Sequence, residues 1–232
     1  MKKLLSVIAL VTFFVAGKSQ TVDEILDKHI AAIGGKEKWL TLKTIVMDGN
    51  LKANGADIAV KITGAHNKGT RQDITFSGMS GYEIYTPTEG WAYMPFQGQT
   101  KPEAKTADEV KRMLDDLDLQ GNLIDYKAKG HTIEYLGKED VEGTDCYKLK
   151  VTRKNSGDQT YFIDPASYMI VRIVSKTQAA GQEMEVTVDL SDYRDVDGLK
   201  MPFGIAQQFG NVVITDIKIN VPVDDALFKP AK

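Results

Sequence analysis

Short segments in which apolar and polar residues alternate make up most of this chain. In DIAVKIT, Ile58, Val60 and Ile62 fall on one face of an extended strand, and Lys61 and Thr63 fall on the other. Similar segments recur as far as NVVITDIKIN, and turn signals such as NKG, NSGD, DPAS and DVDG separate them. The pattern predicts a mostly β fold, with one antiparallel sheet of about ten strands.

Two segments carry apolar residues at helical spacing instead. The first begins with TVDE, a capping-box signature at Thr21, and the pair Gly34-Gly35 is a stop signal. The second begins with TADE at Thr106 and ends at Gly121. Its acidic run DDLD is assigned to a solvated face of the helix. The two helices make the predicted fold an α+β one.

A sheet of this size is expected to curl, which creates a concave face. Two amphipathic helices are available to cover that face. They could enclose an apolar cavity that binds a ligand, or they could fill the interior so that no cavity remains. The spacing of the segments leaves both arrangements open.

Residues that could carry catalysis or bind a metal are sparse. The histidines His29, His66 and His131 are not spaced as metal ligands, and the sequence contains no Gly-x-Ser-x-Gly motif for a serine nucleophile. His29 falls on the apolar stripe of the first helix, where a packing role is favoured. We therefore predict no catalytic residue, no metal site and no cofactor, and we expect a protein that is not an enzyme.

The single cysteine lies in the strand-like segment CYKLKVT. Alternation places Tyr147, Leu149 and Val151 on an apolar face, and it places Cys146 with the lysines on the opposite, polar face. Nearby lysines would lower the pKa of an exposed thiol. A redox role would need a partner cysteine, which the chain lacks. Cys146 is thus expected to face solvent without a catalytic role.

The N-terminal residues have the pattern of a secretory signal peptide. Lys2 and Lys3 precede an apolar run that is shorter than the about 18 residues a membrane span needs, and Gly17 and Ser19 suit a cleavage site. We predict a signal peptide over 1–19 and a single exported domain over 20–232. The alternative is an N-terminal membrane anchor that stays attached.

The charge of the chain argues against nucleic acid as a partner. The formal net charge is −3, and removal of the three lysines in 1–19 would change it to about −6. Nucleic-acid binding needs a basic surface instead.

The order of several segments resembles the LolA/LolB-like family of outer-membrane lipoprotein-sorting proteins, in a divergent soluble form. The segments that carry the resemblance are AAIGGKEKWLTLKT, TEGWAYMPFQG, DLQGNLIDYKAKG, EYLGKEDVEGTDCYKLKV, YFIDPASYMIVR and DYRDVDGLKMPF. Together they extend over nearly all of the chain that follows the predicted signal peptide.

The resemblance implies a half-open antiparallel barrel with a helical lid, whose inner surface binds acyl chains of lipoproteins or other lipids. It also implies a monomeric, periplasmic carrier that receives its cargo from an inner-membrane release complex and delivers it to an outer-membrane acceptor. In such a protein a basic residue on an early strand latches the lid, and Lys52 and Lys61 are the candidates here.

Large apolar residues on the strands and on the second helix are the candidates for contact with a ligand in the cavity or under the lid. They are Met47, Leu51, Trp91, Tyr93, Phe96, Val110, Met113, Leu114, Leu117, Tyr147 and Leu149. For each of them an ordinary core position is the alternative. For the whole chain, the alternative function is that of an exported envelope structural or stress protein that binds a protein partner.

Overall fold

The computed structural model of the chain describes residues 20–231, except for residues 54, 180, 181 and 209. The predicted signal peptide over 1–19 lies outside the described residues. None of the helices in the described part of the chain is long and apolar enough to cross a membrane.

The described residues form thirteen β-strands in one antiparallel sheet. The strands are β1 Thr44–Ala53, β2 Ala56–Ala65, β3 Gly69–Phe76, β4 Met79–Tyr85, β5 Gly90–Tyr93, β6 Glu103–Ala104, β7 Thr132–Val141, β8 Thr144–Thr152, β9 Asp158–Ile163, β10 Ile170–Ala179, β11 Gln182–Val196, β12 Leu199–Gln207 and β13 Gly210–Ile219. The predicted mostly β class and single antiparallel sheet are confirmed. The count exceeds the expected ten partly because the two-residue strand β6 is too short to give a periodic signal.

The sheet consists of two meanders joined at their ends. Its strand order is β6-β5-β4-β3-β2-β1-β13-β12-β11-β10-β9-β8-β7, so the first six strands form one half and the last seven form the other. Strand β1 pairs with β13, with Ile45 opposite Ile219, and this pairing joins the first strand to the last. The sheet remains open, with β6 and β7 at its edges.

Three α-helices accompany the sheet in the described chain: α1 Val22–Ala32, α2 Lys36–Leu40 and α3 Ala107–Met113. The predicted capping boxes are present at both Thr21 and Thr106, and in each the glutamate carboxylate accepts a hydrogen bond from the N-cap backbone amide. A short 3₁₀ helix, Leu114–Leu117, continues α3. Another, Asp225–Phe228, follows β13.

The glycine pair that ends α1 packs against the hairpin turn between β11 and β12. Asp197 and Gly198 form that two-residue turn with φ values of 50° and 84°, as an Asp-Gly hairpin predicts. Gly34 has φ 115°, and a Cβ at this position would collide with the carbonyl oxygen of Gly198. The backbone amide of Lys200 also donates to the Ile33 carbonyl at 2.9 Å. These contacts attach the helical N-terminal part to β12.

The largest apolar clusters lie where helices and loops pack on the sheet. One contains Ile25 and Leu26 of α1 with Leu123, Leu149 and further residues of β8 and β9. A second joins residues of β1, β12 and β13 to Trp39 and Leu119. The helices and the segment after α3 therefore cover the sheet, and these clusters form most of the core.

The prediction that Cys146 faces solvent is wrong. Its side chain does lie on the other face of β8 from Tyr147, but it is only 1% exposed because Val141 and Phe162 pack against it. Burial, together with the nearby carboxylates of Asp164 and Asp140, raises the pKa of the thiol, whereas lysine neighbours were expected to lower it. Both faces of β8 are thus buried at this point.

Candidate functional site

A cavity of about 230 Å³ lies between the helical N-terminal part, the segment that follows α3, and strands β9 to β12. We call it the central cavity. Its lining residues are His29, Ile33, Trp39, Gln120, Gly121, Asn122, Leu123, Ile124, Tyr161, Ile170, Ile173, Leu190, Tyr193, Lys200 and Pro202. Aliphatic and aromatic side chains predominate, and few polar groups accompany them, as in many binding sites for small apolar molecules.

The polar side chains of the central cavity are mostly held by internal hydrogen bonds. Asn122 donates through Nδ2 to the Tyr161 hydroxyl at 3.0 Å, and the Tyr193 hydroxyl donates to the Ile170 carbonyl at 2.8 Å. These bonds satisfy the Asn122 amide nitrogen and the Tyr193 hydroxyl, whereas Asn122 Oδ1 is buried without a hydrogen-bond partner among the described residues. The remaining surface is therefore better suited to apolar contact than to catalysis.

His29 is buried and contributes a neutral ring to the lining. Its Nδ1 lies 2.8 Å from the Tyr168 carbonyl, so Nδ1 carries the proton and donates. Burial lowers the pKa of His29, although the bond to Tyr168 opposes this effect. His29 therefore packs in the interior, as expected, and it also lines the central cavity.

One backbone carbonyl positions two of the lining residues. The carbonyl of Ile33 accepts from the backbone amide of Lys200 at 2.9 Å and from Trp39 Nε1 at 3.1 Å. The close contact between Gly34 and Gly198 makes this arrangement possible. The C-terminal end of α1 therefore fixes Trp39 and Lys200 beside each other in the cavity wall.

The wall opposite β9 to β12 belongs to the segment over 114–131, which connects α3 to β7 and which we call the cover. Leu119 of the cover packs against β1 and β2, where Ile45 and Gly64 lie next to it. Leu123 packs in the cluster formed by α1, β8 and β9, and Ile124 is fully buried. The cover thus contacts both halves of the sheet, as expected when the sheet curls around it.

The acidic run at the start of the cover is an anchor, so its assignment to a solvated helix face is wrong. Asp115 is 8% exposed, and its carboxylate accepts from the amides of Asn155 and Ser156 and from Asn155 Nδ2, each at 2.8 Å. Burial opposes ionisation of Asp115, but these hydrogen bonds outweigh it and lower the pKa of the carboxyl. Asp116 adds an ion pair with Arg153 at 2.8 Å. Together they attach the cover to the β8–β9 loop.

The same run also reaches the other half of the sheet. Asp118 lies 3.3 Å from His66 Nδ1, in the β2–β3 turn, and 2.6 Å from Lys129 Nζ within the cover. The Leu117 carbonyl accepts from the backbone amide of Asn67 in that turn at 2.9 Å. The cover is therefore held between two distant turns by polar contacts.

The sequence-predicted ligand residues lie outside the lining of the central cavity, and ligand contact by them stays a prediction. Tyr147 and Leu149 belong to the cluster that includes Leu123, and Met47 packs in the cluster that includes Trp39. Trp91 and Tyr93 pack together near the C-terminal 3₁₀ helix. The others are dispersed over the first meander, α3 and the cover: Leu51, Phe96, Val110, Met113, Leu114 and Leu117.

The basic residues proposed as lid latches are also away from the cover contacts described above. Lys61 pairs with Asp48 at 3.5 Å, between neighbouring strands. Lys52, near the end of β1, lies opposite Asn211 of β13. Arg153 makes the ion pair to the cover instead, and neither its spacing nor its neighbours in sequence distinguish it from a surface cation.

Strands β10 to β12 contribute lining residues that sequence reasoning did not single out. Ile170 and Ile173 occur in SYMIVRIV, and Tyr193, Lys200 and Pro202 occur in or beside DYRDVDGLKMPF. Both segments lie in or next to stretches that carried the family resemblance. That resemblance was the feature of the sequence that could have identified these lining residues. Among the described residues there is also no cluster of three or more histidines, cysteines or carboxylates placed to hold a metal ion.

Comparison with known proteins finds similarity of structure without close similarity of sequence. No protein-family model matches the chain, and no curated protein matches it significantly in sequence. A DUF1329 family protein from Desulfovibrio piger matches with a TM-score of 0.56 at 16% identity, over 91% of this chain and 98% of that one.

Two further solved structures bear on the family resemblance. A LolA superfamily protein from Nitrosomonas europaea matches with a TM-score of 0.57 at 13% identity, over 91% of this chain and 99% of that one. A structure described as an outer membrane lipoprotein-sorting protein domain, from Vibrio parahaemolyticus, matches with a TM-score of 0.53 at 16% identity, over 88% and 94% of the two chains. The chain therefore has a LolA-like fold, as the resemblance predicted.

Proposed function

We propose that this chain is a periplasmic carrier that binds acyl chains of lipoproteins or related lipids, and that it takes part in their transfer to the outer membrane. The observation that carries the proposal is the apolar central cavity beneath a cover that polar contacts attach to the sheet. The LolA-like fold supports the same function.

The size of the central cavity bears on how a ligand enters. Its volume of about 230 Å³ exceeds the roughly 150 Å³ of an apolar cavity that binds benzene, and it is smaller than the about 300–1,000 Å³ of typical ligand sites. A part of an acyl chain fits while the cover is in place. A longer chain requires the cover to move away from β9 to β12.

Burial of an acyl chain supplies free energy that offsets part of the cost of such a movement. Each methylene group transferred from water contributes about 0.8 kcal/mol, so eight of them contribute roughly 6 kcal/mol before ordering costs. The contacts opposing the movement include the hydrogen bonds of Asp115 and the ion pair of Asp116 with Arg153. Water can replace these polar partners once the cover separates, which favours opening at the anchors.

Extraction of the native protein tests the proposal. The chain is purified from its native periplasm without detergent, and bound lipid is identified by mass spectrometry after solvent extraction. Delipidated protein is then titrated with fluorescent acyl chains. We expect recovery of acyl lipid and saturable binding, whereas absence of both results would contradict the proposal. Co-purification of a stoichiometric protein partner with a lipid-free chain would favour the alternative function.

A pair of substitutions locates the binding site. Ile173→Trp places a larger side chain into the central cavity and should reduce acyl-chain binding at least tenfold. Val213→Trp is the matched control, because Val213 is exposed on β13 and does not line the cavity. Equal loss of binding in the two variants, or loss in neither, would contradict assignment of the site to this cavity.

A further inference from the structure

The central cavity has one fully charged side chain in its wall, and that charge is positive. Lys200 is the lysine, and the described lining residues include no aspartate, glutamate or arginine. His29 is the other titratable base of the lining, and burial keeps its ring neutral near pH 7. Within the lining, an ionised ligand group would therefore meet a positive charge, and the nearby Asp195 carboxylate that faces this charge lies outside the lining.

Lys200 is placed where such a group could remain partly hydrated. Its side chain is 41% exposed although it lines the cavity, so it extends from the cavity wall to solvent. The Asp195 carboxylate is 3.6 Å from its Nζ, beyond hydrogen-bond distance, and Oδ1 of Asp195 already accepts from the Gly198 amide at 2.8 Å. The ammonium group can consequently bind another anion without losing a short ion pair.

The other lining residues determine which apolar group the ligand can carry and how many alkyl chains fit. Ile170, Ile173 and Leu123 offer only apolar surface, and the volume of about 230 Å³ suits one narrow chain better than two or three. A lysine is a point charge with a flexible stem, so it binds a compact anionic group without the bidentate geometry that arginine offers to carboxylate and phosphate. The combination matches a small anionic group on a single alkyl chain.

We infer that the central cavity selects acyl ligands with one alkyl chain and a terminal carboxylate, which Lys200 Nζ binds at the cavity mouth while the chain lies against Leu123, Ile170 and Ile173. The inference rests on the proposed function and narrows its related lipids to free fatty acids, because an acyl chain in ester or amide linkage to a lipoprotein has no free carboxylate. It predicts a preference of carboxylate over alcohol and of alcohol over amine for ligands of equal chain length.

Competition binding with the delipidated full-length chain measures this preference directly. Hexadecanoate, hexadecanol and hexadecylamine each displace a fluorescent acyl probe at pH 8 and low ionic strength. We expect hexadecanoate to bind about fivefold more tightly than hexadecanol, as a partly exposed ion pair contributes. Added salt should reduce the difference, because the pair is open to screening.

Variants assign the preference to a residue. Lys200→Gln should bind hexadecanoate and hexadecanol with equal affinity. Lys218→Gln should keep the wild-type preference, because Lys218 is exposed on β13, pairs with Asp216 and does not line the central cavity.

The outcomes separate the inference from the proposed function. Binding of all three ligands without a carboxylate preference would overturn the inference and leave the acyl-chain carrier intact. Failure of every ligand to bind would overturn both. If Lys200→Gln does not fold, the wild-type order still decides, since amine binding as tight as carboxylate binding would overturn the inference.

Discussion

Substitution of Asp115 by alanine is the sharpest test of how the cover is attached. The carboxylate accepts three hydrogen bonds of 2.8 Å from Asn155 and Ser156 and is 8% exposed. A hydrogen bond to a charged group contributes about 1.5–3 kcal/mol, but the amides released in the β8–β9 loop can bind water. We therefore expect Asp115→Ala to destabilise the closed cover by about 2–4 kcal/mol.

Amide hydrogen exchange measures this effect residue by residue. A loss of about 2 kcal/mol corresponds to a roughly 30-fold faster exchange of protected amides in the cover, over 114–131, if the cover opens locally. Amides of β12 and β13 should change little. Asp108→Ala is the control, because Asp108 is an exposed residue in the first turn of α3. Unchanged protection of the cover in Asp115→Ala would refute the reasoning.

The pH dependence of the same anchor follows from its pKa. Because the pKa of Asp115 is lowered in the folded protein, the anchor contributes its full stability above the ordinary carboxyl value of about 3.9. That contribution is lost as the pH falls through the folded pKa. The difference in cover exchange between the wild type and Asp115→Ala, corrected for intrinsic rates, should therefore stay constant between pH 5 and 8, and a difference that changes with pH in this range would contradict the lowered pKa.

Three further changes test the packing around the site. Gly34→Ala should lower the free energy of unfolding by about 2–4 kcal/mol, because the added Cβ would collide with the hairpin between β11 and β12. Gly143→Ala is the control, since Gly143 has a φ of 87° in open space, and it should lower the free energy of unfolding by about 1 kcal/mol. Equal losses in urea unfolding would contradict the contact at Gly34. Because burial raises its pKa, Cys146 should react with an aromatic disulfide reagent far more slowly in the folded chain than in urea, and equal rates would show an accessible thiol. Because burial lowers the pKa of His29, the unfolded state binds more protons, so the free energy of unfolding should fall as the pH falls below about 6.5. In His29→Gln this part of the pH dependence should be absent. Parallel urea-unfolding profiles of the two proteins from pH 5 to 7 would contradict the prediction.

Local patterns predicted the elements of this fold well. Alternation in segments such as DIAVKIT identified strands, and capping boxes at Thr21 and Thr106 identified the starts of α1 and α3. The turn between β11 and β12 followed from its Asp-Gly pair. Each of these features depends on residues a few positions apart, so the sequence itself contains the necessary information.

The burial of a strand face depends on distant residues, and this explains the error at Cys146. Alternation placed its side chain opposite Tyr147 and Leu149, which agrees with the clusters they join. It could not reveal that Phe162 of β9 and Val141 of β7 would cover the second face. Lysines in the same segment suggested that this face is solvated. The long side chain of Lys148 instead extends across the face to pair with Glu139 of the edge strand β7.

The position of the central cavity was beyond the reach of sequence patterns for the same reason. It forms where β9 to β12 meet α1, α2 and the cover, and those elements are far apart in the chain. Likewise, the DDLD run has the composition of a solvated helix face until the β8–β9 loop places Asn155 and Ser156 against Asp115. Only the tertiary arrangement distinguishes an anchor from an exposed acidic run.

The two tryptophans of the chain allow the most direct test of the acyl-binding site. Trp39 lines the central cavity, whereas Trp91 packs with the cluster near Phe228. A brominated acyl chain quenches an indole only at close range, so titration of Trp91→Phe reports on Trp39 and titration of Trp39→Phe reports on Trp91. We predict saturable quenching of Trp39 with little effect on Trp91. Quenching of Trp91 alone, or of neither tryptophan, would contradict binding in the central cavity.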